Sequence, residues 1–434
     1  MNHGEAKTDE NAAEPAEGKH GEPDGGCRWW RRALPLVFFA LAAAPYLTMD
    51  LWYDEAFTLV HFAEKGLLEI LTGGYIANNH VLFTLCLYEW KVIWLDLLSA
   101  PLWTLRLLPF AFGMATVYVL YRIGRHWTRL TMGGVLAATL AASSHVLLSF
   151  TCQLRGYGLS YFLVALCLLM ALQYARRPHL VQAVLTVLPG ALAIATVPTN
   201  LLPIGAIIGW LLTDQVVLRR RIDRSVPVLA LGTLPGLIPY MLNWSDVLEQ
   251  SRQAWGWESH VAGLSHLYLA NVLSWAPIVA AAAVLAALQL RRRKQIEVAE
   301  LGRIGLWTLA LSSLLLPILG ALPFRVCPYP RVLATMLPVW AFLLTAVIWR
   351  CAENVRPVLW RVARVQMIFA VLLQLVYFHH VTQDEALERQ PQNLLVQYYN
   401  SPRFRPSETA AGLKQLSESL PAAIFLTDRS DIYA

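Results

Sequence analysis

The sequence predicts an all-α, polytopic membrane protein with about eleven transmembrane helices. Two observations lead there. The 434 residues are 56% hydrophobic and only 15% charged, with a mean hydropathy of +0.46, too apolar for an ordinary water-soluble chain. Apolar runs of about 18–20 residues recur, each long enough to cross roughly 30 Å of hydrocarbon. The net charge of +6 does not point to nucleic acid, because the arginines fall in the gaps between apolar runs, where they set orientation.

The chain reads in order as follows. Residues 1–27 are rich in Glu, Gly, Ala and Pro and read as a disordered cytoplasmic tail, with no cleavable signal pattern evident. Trp29-Trp30-Arg31-Arg32 is an aromatic and basic collar. It opens a transmembrane domain over 28–379, whose first span, 34–50, runs outward. A first outer loop, 51–103, follows. Within it, 80–98 is apolar but carries Glu89, Lys91 and Asp96, so it reads either as a second span or as a helix lying in the outer interface. The later spans are 104–121, 133–150, 158–175, 180–197, 200–218, 226–241, 267–290, 303–320, 332–349 and 363–378.

Basic residues decide between the two readings of 80–98. If it lies flat, the cytoplasmic gaps collect Arg28, Arg31 and Arg32; Arg122, Arg125 and Arg129; Arg176 and Arg177; Arg219–Arg221 with Arg224; Arg291–Lys294 with Arg303; and Arg350, Arg356, Arg361 and Arg364. The outer gaps then hold only scattered ones: Lys65, Lys91, Arg106, Arg155, Arg252, Arg325 and Arg331. A span at 80–98 would reverse this bias, so an interfacial helix is expected there.

The same topology puts the polar landmarks on one face. Asp54 and Glu55 sit just past the first span, and His80 follows in the same loop. Arg106, Gln153, Arg155, Tyr157, Asn200, Arg325 and Arg331 stand at later outer boundaries. The loop 242–266 carries Trp255, Trp257, Glu258 and His260, which read either as interfacial anchors or as a mobile cover stacking on a sugar ring. Residues 380–434 read as a small outer α/β tail, with an amphipathic helix over 408–420 and a strand over 422–426. The six cysteines show no metal-ligand spacing.

Acids beside several guanidiniums at a lipid–water boundary suit a lipid-phosphate substrate. Guanidinium binds phosphate bidentately and keeps its charge, while a carboxylate takes the proton of an incoming hydroxyl. Taken singly, the same residues have blander readings. His80 is a helix-end hydrogen-bonding group, Arg155 and Arg331 are interfacial side chains, and Asn200 is a helix cap. Arg106 would pair with Asp96 or Glu89 and pin the interfacial helix.

Trp52-Tyr53-Asp54-Glu55, followed by Asn78-Asn79-His80-Val81-Leu82, resembles the glycosyltransferase 39 / protein O-mannosyltransferase-like superfamily. Arg106-Leu107-Leu108-Pro109 with Phe112-Gly113, then Gln153-Leu154-Arg155-Gly156-Tyr157, then Tyr329-Pro330-Arg331 with Leu337-Pro338, resemble further segments in the same order. The two prolines that follow the family's His are Val81 and Leu82 here. The resemblance covers about 34–350 and implies a GT-C-like bundle. It implies an inverting glycosyltransferase that takes a sugar from a polyprenyl-phosphate donor to a glycan, lipid or protein acceptor on the outer face. Asp54 is then the general base, and Glu55 orients it or helps bind a divalent metal with His80. Arg155, Arg331, Arg325, Tyr157 and Arg106 hold the donor phosphate. The setting implied is the bacterial cytoplasmic membrane, with the N-terminus inside. Two other classes compete: a transporter or flippase for a lipid-linked glycan, for which Pro189-Gly190 or Pro235-Gly236 would break helices, and a non-catalytic assembly partner.

Overall fold

The computed structural model describes residues 30–48, 55, 58–64, 66–72, 79–220, 222–247, 273–292, 301–321, 334–352 and 356–383. Among them every regular element is helical. The expected disordered tail (1–27), the 408–420 helix and the 422–426 strand lie outside the described residues, as do Asp54, Trp255, Trp257, Glu258, His260, Arg325 and Arg331.

Helix α1 is Trp30–Leu47 and α2 is Leu67–Thr72. Helix α3, Val81–Lys91, continues as a π-helical stretch, Val92–Leu97, and covers the segment expected as an interfacial helix. A 3-10 turn, Leu102–Arg106, leads into α4, Leu107–Thr128. Helices α5 (Thr131–Ser143) and α6 (His145–Thr151) follow, then α7 (Tyr157–Arg176), α8 (Leu180–Thr196) and α9 (Leu201–Thr213). The chain goes on through α10 (Val226–Leu231), α11 (Ile238–Met241), α12 (Ala276–Arg292), α13 (Leu301–Ala321), α14 (Leu337–Cys351) and α15 (Arg356–Gln383).

Five described helices are long and apolar enough to cross a membrane: Leu102–Thr128, Tyr157–Arg176, Pro198–Val217, Ala334–Cys351 and Val358–Val376. The bent pair α5–α6 makes a sixth if it counts as one span, and five more apolar helices are shorter. This is the build of a multi-pass membrane protein.

The run 133–150, expected as one span, is broken by 65° at Ser144. Ser144 leaves the helical region (φ −74°, ψ 113°), and its hydroxyl accepts from Leu147 N–H at 3.2 Å, so it ends one helix and caps the next. The run 226–241 is also broken. Pro227, Pro235 and Pro239 fall along it, and a 3-10 turn, Leu234–Leu237, separates α10 from α11. The Pro189-Gly190 step, by contrast, lies inside an unbroken α8.

Small residues let the backbones approach. A Cβ on Gly124 of α4 would come 2.2 Å from the Gly133 carbonyl oxygen of α5, and one on Gly134 would come 2.7 Å from the Tyr121 carbonyl oxygen. The turn between α4 and α5 passes through Arg129 in the left-handed region (φ 58°). It is held by Thr128 Oγ1, which donates to Gly124 O at 2.8 Å and accepts from Leu130 N–H at 3.3 Å. Close small-residue contact supplies packing where water offers no hydrophobic drive between helices.

Candidate functional site

The site is built around Cys152–Gly156, the short connection between α6 and α7. Three consecutive amides there are spoken for. Leu154 N–H donates to Glu55 Oε1 at 2.7 Å, Arg155 N–H to the Gln153 carbonyl at 2.7 Å, and Gly156 N–H to His80 Nδ1 at 2.6 Å. Only glycine fits at 156, because a Cβ would lie 2.7 Å from His80 Cβ and 2.8 Å from Nδ1. Two residues on, a Cβ at Gly158 would meet the Pro109 carbonyl oxygen at 2.8 Å, so α7 sits directly against the start of α4.

Glu55 and Arg106 form a buried, two-pronged ion pair. Arg106 Nε donates to Oε1 at 3.0 Å and Nη2 to Oε2 at 2.6 Å, with residue exposures of 1% for Glu55 and 3% for Arg106. Arg106 Nη1 also donates to the carbonyls of Tyr46 and Leu47, at 3.1 and 3.3 Å. These are carbonyls of the last turn of α1, which have no partner within the helix, so a cation there answers both their hydrogen bonding and the helix dipole. One guanidinium thus fastens the end of α1, the first loop and the start of α4, while Glu55 ties them to the α6–α7 connection.

This corrects one reading. Arg106 does not pair with Asp96 or Glu89; Asp96 takes Lys91 at 3.4 Å on the more exposed π-helical stretch. Arg106 lies at the end of a 3-10 turn whose Thr104 and Leu105 are buried, so its side chain faces the bundle. Its Nε, Nη1 and Nη2 are all engaged with Glu55 and the α1 carbonyls. Glu55 likewise accepts with both carboxylate oxygens.

His80 occupies the N-cap position of α3 but makes no side-chain cap bond; its ring turns to the α6–α7 connection instead. A backbone N–H can only donate, so Nδ1 accepts from Gly156 and the proton of the neutral ring sits on Nε2. That leaves no ring lone pair for a metal. Among the described residues no three His, Cys, Asp or Glu side chains gather to hold an ion. The described residues of the metal reading, His80 and Glu55, therefore do not fit a cation.

Arg155 is 1% exposed, the largest of the fully buried side chains. Its guanidinium carbon lies 5.7 Å from the Tyr157 ring centre. The Tyr157 ring meets His80 edge-on at 5.0 Å and Phe150 at 4.8 Å, so it is the hub of an aromatic cluster beneath the arginine. A guanidinium cannot shed its charge on burial, which makes this a place where anionic or dipolar groups must converge. Cys152, at the start of the connection, is a free buried thiol, pushed up to about 12 mainly by burial.

Asn200 stands at the N-cap position of α9 but makes no side-chain cap bond, which corrects the helix-cap reading. It is fully buried, and its Nδ2 donates to Ser160 Oγ at 2.8 Å and to the Ala193 carbonyl at 2.7 Å, joining α7, α8 and α9.

A second polar cluster, absent from the sequence reading, surrounds the Ser144 break. Gln374 Oε1 accepts from Tyr46 O–H at 3.3 Å and lies 3.1 Å from His145 Nδ1. His145 Nε2 is 3.4 Å from Ser149 Oγ. Gln366 Nε2 donates to Ser143 Oγ at 3.1 Å and to the Ser274 carbonyl at 2.6 Å. The available signal was two glutamines inside the apolar run 363–378. The chain matches no protein-family model, and a search of curated proteins finds no match either.

Proposed function

We propose that the chain is an inverting glycosyltransferase. It would move a sugar from a polyprenyl-phosphate donor to a glycan, lipid or protein acceptor at the outer face of the bacterial cytoplasmic membrane, in a GT-C-like bundle of about eleven spans. The observation that supports this best is convergence. Glu55 and His80, distant in sequence, both bond to the connection between α6 and α7 that carries Arg155 and leads into Tyr157, and Arg106 joins it through Glu55.

In this reading Asp54, next to the clamped Glu55, takes the proton of the acceptor hydroxyl. The hydroxyl oxygen attacks the anomeric carbon from the face opposite the phosphate. The C–O bond to the donor breaks with inversion, and the electron pair leaves on the polyprenyl phosphate. Arg155, Arg331 and Arg325 stabilise that leaving phosphate. The Glu55–Arg106 pair holds the segment that carries Asp54.

The test is transfer from a panel of labelled polyprenyl-phosphate sugars by protein in lipid nanodiscs, with Asp54→Asn alongside. One donor should be consumed, and Asp54→Asn should lower the rate by about 10²-fold or more. Folded protein that consumes no donor, when supplied with crude acceptor extract and divalent metal, refutes the proposal.

The break at Ser144, lined by buried polar groups, favours a second reading, a flippase for a lipid-linked glycan, since broken helices line transport sites. Donor crossing the bilayer without transfer or hydrolysis would select it.

A further inference from the structure

We infer that the Gln153 carboxamide reads a hydroxyl of the donor sugar, an inference that rests on the glycosyltransferase reading. Gln153 lies in the α6–α7 connection, between Cys152 and Leu154. Its backbone is held on both sides: its own carbonyl accepts from Arg155 N–H, and the Leu154 N–H is fixed by Glu55. The side chain is therefore rooted on a rigid base within the cluster. The residue is 9% exposed, and Oε1 is buried with no hydrogen-bond partner among the described residues.

A buried amide oxygen left unmet is a cost to the folded chain that a ligand donor would remove. The chemistry of that donor is constrained. Oε1 can only accept, and an ionised phosphodiester has no proton to give. A sugar hydroxyl has one, and its oxygen can in turn accept from the carboxamide Nε2. Arg155, two residues on, has the opposite character, with donors only, and suits phosphate. The connection therefore carries, two residues apart, two groups of complementary chemistry, one suited to each side of the glycosyl phosphate bond.

The experiment measures equilibrium binding, in nanodiscs, of farnesyl phosphate and of farnesyl phosphate carrying each of several hexoses and pentoses. The parent should bind one sugar-bearing lipid about 10-fold more tightly than the bare phosphate. Gln153→Met should lose most of that increment and leave the bare-phosphate affinity unchanged. One monodeoxy analogue of the preferred sugar should lose the same factor in the parent and nothing further in Gln153→Met. If Gln153→Met does not fold, Gln153→Glu serves. It removes the amide donor but keeps an acceptor, now charged, that holds a hydroxyl more strongly, so the loss caused by the monodeoxy analogue should be larger in Gln153→Glu than in the parent. An unchanged increment in Gln153→Met, an equal loss on both lipids in that variant, an unchanged monodeoxy loss in Gln153→Glu, or a parent that prefers no sugar overturns the inference and leaves the glycosyltransferase reading standing. A parent that binds neither lipid overturns both.

Discussion

Arg106→Met removes one half of a buried ion pair and leaves the other half in place. Glu55 is 1% exposed, so its charge cannot be recovered by water. Breaking such a pair from one side costs about 3–5 kcal/mol, most of it the stranded charge. The double variant Arg106→Met/Glu55→Leu strands nothing. It takes away partners of three backbone groups, the Tyr46 and Leu47 carbonyls and the Leu154 N–H, at about 1–3 kcal/mol each, but the two carbonyls have already lost Arg106 in the single variant, so the double adds only the Leu154 N–H to those losses while removing the stranded charge. The double variant should therefore be more stable than Arg106→Met alone, and the cycle should show a coupling of about 2 kcal/mol or more. Equilibrium unfolding of parent, both singles and the double in mixed micelles measures it. If the double loses the sum of what the two singles lose, the two groups are not coupled and the description of the clamp is wrong.

Four further outcomes are expected. Gly156→Ala pushes a methyl into the His80 ring and should destabilise by about 1–3 kcal/mol, with part of the loss recovered when His80 is shortened to Ala in the same chain, read by thermal unfolding. Gly124→Ala should be far more damaging than Gly209→Ala. The first meets the Gly133 carbonyl, while the second meets nothing within 4 Å and gains up to about 1 kcal/mol of helix propensity in the same unfolding assay. Gln374→Leu removes the partner of Tyr46 and His145 together and should cost about 1–3 kcal/mol by chemical denaturation. Cys152, buried and with its thiol held protonated, should resist maleimide at pH 8 in the folded protein and react on unfolding, as followed by mass spectrometry.

The fold class was legible because hydropathy reports it directly: nearly every described apolar run of the sequence is helical. That Glu55, His80, Arg106, Arg155 and Tyr157 stand at the ends of apolar runs was also legible; that they come together at the α6–α7 connection is a finding of the structure. What those side chains do there was not. A search along the sequence pairs Arg106 with the nearest acids, Asp96 and Glu89, whereas the bond it makes spans 51 residues and depends on how α1 meets α4. The Ser144 break was hidden because Ala141-Ala142-Ser143-Ser144-His145 scarcely interrupts an apolar run, and serine is at home both within a membrane helix and as a cap. Pro189 misled in the other direction. A proline inside a membrane helix can be accommodated by its surroundings, so its presence did not mark a break.

The two glutamines of α15 also bear on how the chain is made. Their partners, Tyr46, Ser143, His145 and Ser274, all precede them in the sequence. Until α15 emerges and docks, the interior of the nascent bundle keeps polar groups without their final hydrogen bonds, in a solvent that offers none. Docking of α15 is therefore the step that completes these contacts. A chain truncated before Arg356 would expose those groups, a signature by which membrane quality control could tell an unfinished copy from a complete one.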